Sequence, residues 1–343
     1  MNLTLKHFFC ISSHLAFSIC DHLIRMDRLP IEDCVFLTTR GYRVPLSGAQ
    51  YHVVETDLNS SAQTSRLFAG FRVWKTMRNI RLFDELITTH TKGEDYIFYT
   101  QICNNDICSV CVTNPYCKGY YIIEDGVGSY KKEDLQTFKG IQYLIYKYFL
   151  KPLFPRIYEL KNHMIEVDHP KYKGCIATNA LCFPSHQDSL RIIGLPFHEE
   201  PLPNPPQALL SLDPYYLWLT DIQVEIVIKQ LSDFINNQCY KSLAFKAHPY
   251  LLANENHDKY VLYKQYLQRY LSIPLEELDA QRCLENILMA HKDCVFYTAV
   301  SSVAIYAKVM GVKCYTFAPL IRQFYDLHVP VVEDICEPIV PQL

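Results

Sequence analysis

Three short groups of functional side chains stand where apolar runs end. The first is Ile122-Ile123-Glu124-Asp125-Gly126-Val127-Gly128-Ser129-Tyr130. An apolar strand there ends in two adjacent carboxylates, followed by glycines. Successive strand side chains point to opposite faces, so one of Glu124 and Asp125 can aim outward while the other holds the turn. Gly126 frees the chain to bend sharply, and Gly128 does not complete a dinucleotide fingerprint because the third glycine is missing. The second group is Leu243-Ala244-Phe245-Lys246-Ala247-His248-Pro249. Pro249 restricts His248 to extended geometry at the strand end. Lys246 falls two residues earlier, on the same face, and a Lys and a His there suit a phosphate. The third is Val295-Phe296-Tyr297-Thr298-Ala299-Val300-Ser301-Ser302, a strand that leads through two serines into a helix. Helix amino ends offer free N–H groups and a positive dipole end to anions.

Each group alone has a plainer reading. Glu-Asp-Gly is a common loop exit, His-Pro a common strand stop, and a serine pair a common helix cap. A second pair, His169-Pro170, lacks a preceding apolar strand. The force lies in the combination: all three groups fall at expected strand ends, the first in the front half of the chain and the other two on neighbouring units of the back half.

The elements that must position these residues follow from periodicity. Leu3–Ile11 reads as a first strand, with Ser12 and Ser13 capping a helix that runs to about residue 25. Asp33–Thr39, Asp95–Gln101, Lys118–Glu124 and Gly174–Phe183 read as further strands, and Ser61–Thr89 as a long helix. Four prolines then crowd Pro201-Leu202-Pro203-Asn204-Pro205-Pro206, which fits a linker and neither a helix nor a central strand. Beyond it, strands are expected at Tyr215–Thr220, Lys241–Ala247, Asp293–Thr298 and Val312–Phe317. Helices are expected at Asp221–Asn236, Gln281–His291 and Ser301–Met310. Strands alternating with helices imply parallel sheets wrapped by helices. The expected architecture is α/β: residues 1–200 and 207–343 as two Rossmann-like domains facing across a cleft, with 201–206 between them. Ligands in such sheets gather at the carboxyl ends of the strands.

Bulk properties narrow the function classes. A chain of 343 residues with 49% hydrophobic and 20% charged residues belongs with folded globular proteins. A formal charge of −3 supplies no field that would draw it to nucleic acid. No stretch approaches the ~20 apolar residues of a membrane span. The 14 cysteines are scattered through apolar runs, which fits buried thiols in a reducing compartment, so a cytoplasmic protein is expected. Cys103, Cys108, Cys111 and Cys117 form one tight group that could bind zinc, but its gaps are irregular for a zinc ribbon. Arg72, Lys75, Arg78 and Arg81 decorate the long helix. A solvated face is the plainer reading, and contact with a membrane-held glycolipid the other.

In order and domain placement, Glu124-Asp125-Gly126, His248-Pro249 and Ser301-Ser302 resemble the motifs of bacterial sialyltransferases of glycosyltransferase families 52, 38 and 80, and chain length suits family 52 or the polysialyltransferase-like family 38. The resemblance implies a GT-B fold and metal-independent, inverting transfer of sialic acid from CMP-sialic acid to an oligosaccharide or glycolipid acceptor, of the lipooligosaccharide or capsule type. No separate cofactor is implied. Residence in the cytoplasm, with peripheral contact at the inner membrane, and a homodimer are compatible with it. The sequence contains no Asp-x-Asp, the usual metal clamp for a nucleotide sugar. Under this reading Glu124, slightly favoured over Asp125, is the base. His248 assists the leaving phosphate, and Gly126, Pro249, Ser301 and Ser302 serve the site, with Lys246 as an added charge. Transfer from CMP-Kdo or a UDP-sugar, or carbohydrate binding without catalysis on the same scaffold, are the alternatives.

Overall fold

The computed structural model describes residues 5–39, 42–45, 48–55, 69–101, 106–130, 168–252, 256–280, 282–327 and 329–341. The chain divides into two compact units, Met1–Pro196 and Phe197–Leu343.

Among the described residues the first unit holds a seven-stranded sheet. Its strands are β1 (Lys6–Ile11), β2 (Cys34–Thr38), β3 (His52–Glu55), β4 (Tyr96–Thr100), β5 (Cys117–Ile123), β6 (Tyr172–Ala177) and β7 (Leu190–Ile192). They lie in the order β3-β2-β1-β4-β5-β6-β7, and every pairing is parallel. The chain steps outward from β1 to β3, then returns to lay β4 on the other side of β1. The switch in direction therefore falls between β1 and β4, where a doubly wound sheet opens its ligand crevice. Central strands are apolar on both faces, as a parallel sheet under helices requires: Phe8, Phe9, Phe36 and Phe98 are fully buried.

Helix α1 (His14–Asp27) follows β1. It forms because Leu15, Ala16, Ile19, Cys20, Leu23 and Ile24 repeat at helical spacing along one buried face. Ser13 caps it, its hydroxyl accepting from the Ala16 N–H at 3.2 Å, and Arg28 ends it in the left-handed region at φ 53°. Helix α2 (Ala69–Thr91) and the short α3 (Asp106–Thr113) precede β4 and β5.

The second unit holds β8 (Ala208–Leu212), β9 (Leu243–Ala247), β10 (Leu275–Glu277), β11 (Val295–Thr298), β12 (Cys314–Thr316) and β13 (Glu337–Pro338). Their order is β10-β9-β8-β11-β12-β13, again all parallel. Here the switch falls between β8 and β11. Helices α4 (Asp221–Asn236), α5 (His257–Tyr270), α6 (Leu284–Ala290), α7 (Val303–Val309), α8 (Ala318–Arg322) and α9 (Pro330–Ile335) complete the unit. Among the described residues no helix is long and apolar enough to cross a membrane.

One expected strand is corrected. Tyr215–Thr220 is not a strand; Pro214–Trp218 makes a tight 3-10 turn, and Thr220 caps α4 in a capping box with Gln223. The strand lies earlier, at Ala208–Leu212, with all five residues buried. Pro214 cannot donate to a ladder and stops it. The proline-rich segment is tied to the second unit, with the Leu202 N–H donating to His291 Nε2 at 2.9 Å.

Candidate functional site

In the first unit the acidic pair stands just past the tip of β5, and its two members face different surroundings. Glu124 is completely buried. The Tyr130 hydroxyl donates to its Oε1, and the Thr178 N–H donates to its Oε2 at 2.8 Å. Its own N–H donates to the Ile176 carbonyl at 3.0 Å. Glu124 thus pins the turn after β5 to the end of β6. Burial and the Glu124 charge together push the Tyr130 phenol far above its usual pKa, so it remains a donor. Asp125, by contrast, is only half-buried, and a base must reach an acceptor hydroxyl. The Asp125 N–H donates to Ser129 Oγ at 2.7 Å, and its Oδ1 accepts from Gln101 Nε2. Gly126 makes the turn possible by taking φ +63°, the left-handed region that favours glycine.

Gln101, which sequence reasoning placed at a strand end without a role, joins three strand tips. Its Oε1 accepts from the Ser12 N–H at 3.2 Å and the Ser12 hydroxyl at 2.7 Å. Its Nε2 donates to Ser13 Oγ at 3.3 Å as well as to Asp125. Ser12 follows β1, Gln101 follows β4 and Asp125 lies beyond β5, so this network straddles the switch point of the first sheet.

In the second unit His248 follows β9 directly, and its N–H donates to the Leu212 carbonyl of β8 at 3.0 Å. The residue is solvent-accessible. The protein packed around the imidazole nevertheless pulls its pKa below the ordinary value; the Lys246 charge acts in the same direction, and the Asp213 charge opposes both. A neutral imidazole keeps one N–H to donate and one ring nitrogen to accept.

Lys246 takes a different place from the one its spacing suggests. It is buried, and its ammonium donates to the Arg282 carbonyl. Burial lowers its pKa, against the pull of Glu285, Cys283, Asp279 and Glu200. It braces the loop after β10 rather than standing at the strand tip.

Ser301 and Ser302 lie between β11 and α7, both half-buried. Ser301 Oγ accepts from the Val303 N–H at 3.3 Å, while Ser302 makes no side-chain cap bond. The loop before them is held by Asp213, at the tip of β8, which is buried. Asp213 Oδ2 accepts from the Thr298 hydroxyl at 2.8 Å and from the N–H groups of Ala299 and Val300 at 3.0 and 3.3 Å, and Oδ1 accepts from the Ser211 hydroxyl at 3.1 Å. The tips of β9, β8 and β11 are adjacent, so His248, Asp213 and the serine loop occupy three neighbouring positions beside the second switch point. Asp213 escaped the sequence reading because the misplaced strand put it before an element rather than at the end of one. An acidic residue closing a five-residue run with four apolar side chains was the signal.

The remaining candidates fall outside these two groups. Cys108, Cys111 and Cys117 are buried thiols around α3 and β5, and burial pushes Cys117 up to about 11. Cys103 lies outside the described residues. No set of three or more His, Cys, Asp or Glu side chains among the described residues is placed to hold a metal ion. Arg78 and Arg81 are exposed on α2; the side chains of Arg72 and Lys75 lie outside the described ones.

No family model and no curated protein matches this sequence. Solved structures do. S. aureus MnaA in complex with UDP is 11% identical with a TM-score of 0.54, the match covering 91% of this chain and 79% of that one. A UDP-GlcNAc 2-epimerase from Methanocaldococcus jannaschii, solved with UDP-GlcNAc and UDP, is 11% identical with a TM-score of 0.52, over 91% and 84%. A sialyltransferase from Photobacterium damsela is also 11% identical, over 91% and 74%, with a TM-score of 0.44. At these identities the likeness shows the fold, GT-B, and nothing finer.

Proposed function

We propose that the chain is an inverting, metal-independent glycosyltransferase that moves sialic acid from CMP-sialic acid to a glycan hydroxyl. The single observation that supports this reading most is positional. In each unit the motif residues stand at the carboxyl ends of neighbouring parallel strands beside the switch in strand order, where such sheets bind ligands.

The roles follow from the chemistry. The acceptor hydroxyl attacks the anomeric carbon and gives its proton to Asp125; Glu124 holds the turn that presents Asp125. The bond from the anomeric carbon to the CMP phosphate breaks as the new glycosidic bond forms, and the electron pair leaves on the phosphate. His248 donates a hydrogen bond to that phosphate, and the Ser301 and Ser302 hydroxyls add donors. That hydrogen bond strengthens as negative charge develops on the phosphate, so it favours the transition state over the bound donor. Asp213 does not touch substrate; it shapes the loop that carries the serines.

The test is a ligand screen by thermal shift with CMP, CDP, UDP and CMP-sialic acid, followed by CMP release assays with Asp125→Asn and His248→Ala. CMP compounds should raise the melting temperature by mass action, and both variants should lose turnover while staying folded. Stabilisation by UDP alone would transfer the reading to a UDP-sugar enzyme. Binding with no turnover toward a range of glycan acceptors would favour carbohydrate binding without catalysis.

A further inference from the structure

We infer that Gln101 is the positioning residue of the acidic site: it orients the Asp125 carboxylate from the switch point of the first sheet. This inference rests on the proposed role of Asp125 as base.

The orientation of the Gln101 amide is settled by its partners. Its oxygen faces two donors on Ser12, and one of them is a backbone N–H that cannot reverse its polarity. Turning the amide over would set an NH2 group against that N–H, so the NH2 end must face Asp125. Asp125 therefore receives a donor that stabilises its ionised form and fixes one of its oxygens.

The support behind Gln101 is rigid. The residue is buried, with 7% exposure. It follows β4, whose Thr100 is paired with Cys10 of β1 on one side and Ile122 of β5 on the other. Ser13, its second acceptor, is already fixed as the cap of α1. A line of hydrogen bonds thus runs from the amino end of α1 through Gln101 to Asp125, across three adjacent strands. Glu124, next in sequence, is held separately by Tyr130 and Thr178, so the Gln101 network acts on Asp125 and not on the acidic pair as a whole. A glutamine that served only as packing would not need its donor end matched to the one acidic side chain proposed to touch substrate.

Two variants test this. Gln101→Met removes both polar ends; Gln101→Glu keeps an acceptor for Ser12 and replaces the donor with a second carboxylate. With CMP-sialic acid as donor, both should lower kcat about tenfold or more with donor KM little changed, since misplacing a base by about 1 Å carries a cost of that order or greater. The acidic limb of the pH–rate profile should move to higher pH, by about half a unit or more, and further in Gln101→Glu than in Gln101→Met. Folded variants with unchanged kcat, or with a reduced kcat and an unmoved acidic limb, would overturn the inference and leave Gln101 a structural glutamine. Should the wild-type protein release CMP from no donor, the CMP-sugar transferase reading fails instead. The coupling is then read by carbon NMR titration of the Asp125 carboxyl, where identical curves in wild type and Gln101→Glu would overturn it.

Discussion

Replacing Asp213 with alanine removes one carboxylate and strands four donors. Two are main-chain N–H groups, of Ala299 and Val300, and two are the hydroxyls of Thr298 and Ser211. All four residues are buried, with Thr298 and Ala299 at 0% exposure. The hydroxyls can rotate to other acceptors, but the amides cannot. A buried donor left without a partner costs about 1–3 kcal/mol, and bonds to a charged acceptor lie at the upper end. The Val300 contact is the longer of the two at 3.3 Å and contributes less. The expected loss is therefore about 3–5 kcal/mol, a large share of the ~5–15 kcal/mol that holds a typical domain folded. Asp213→Asn should cost less, since one oxygen still accepts, although its NH2 must then face a donor. Urea unfolding followed by circular dichroism measures both. A loss below about 1 kcal/mol for Asp213→Ala would refute the view that this carboxylate holds the β11–α7 loop together.

Three further outcomes follow from the same structure. Glu124→Gln should lose about 1–3 kcal/mol of stability, because its NH2 must face either the Tyr130 hydroxyl or the Thr178 N–H; urea midpoints for Glu124→Gln and Asp125→Asn should separate accordingly, with only the Asp125 variant keeping near-wild-type stability. Thr220→Ala should cost about 1 kcal/mol by removing the capping box of α4, seen as a lowered melting temperature with unchanged ligand binding. His248 is held below its ordinary pKa in the folded chain. Protons therefore bind the unfolded chain more readily, so stability is unaffected above the unfolded value of about 6.5 and falls as pH drops through it toward the folded value. His248→Gln should remove that dependence, so the stability gap between wild type and variant should change between pH 7.5 and pH 5; parallel unfolding curves at both pH values would contradict it.

Much of the scaffold could be read from local pattern. Helix α4 matches the expected Asp221–Asn236 because its start carries Thr220 and Gln223 and its buried residues keep strict helical spacing. The strands that end at the candidate residues, β5, β9 and β11, were visible as apolar runs because parallel strands are buried on both faces. The peripheral strands were not. β3, β7 and β10 are three or four residues long and mostly exposed, so neither length nor alternation marks them. Helix α5 was missed although Tyr260, Tyr263 and Leu267 line its buried face, because tyrosines at other positions blur the period.

The candidate site divides along the same boundary. Titratable residues at strand tips announce themselves by type, and so Asp125, His248 and the serine pair could be found from sequence. What the sequence does not encode locally is which neighbour each will meet. Glu124 and Asp125 are adjacent and chemically alike, yet their surroundings differ because β6 lies beside β5 and supplies Thr178 to one of them, while the tip of β4 supplies Gln101 to the other. The surroundings of two such residues are set by strand order, a property of the whole sheet. Lys246 makes the same point in reverse: its spacing from His248 suggests a shared face, but the placement of β10 beside β9 brings the Arg282 carbonyl within its reach. One donor of this buried ammonium is committed to that carbonyl by the fold, while its charge lies close enough to the imidazole to lower the His248 pKa, so strand order and not spacing alone decides what Lys246 meets.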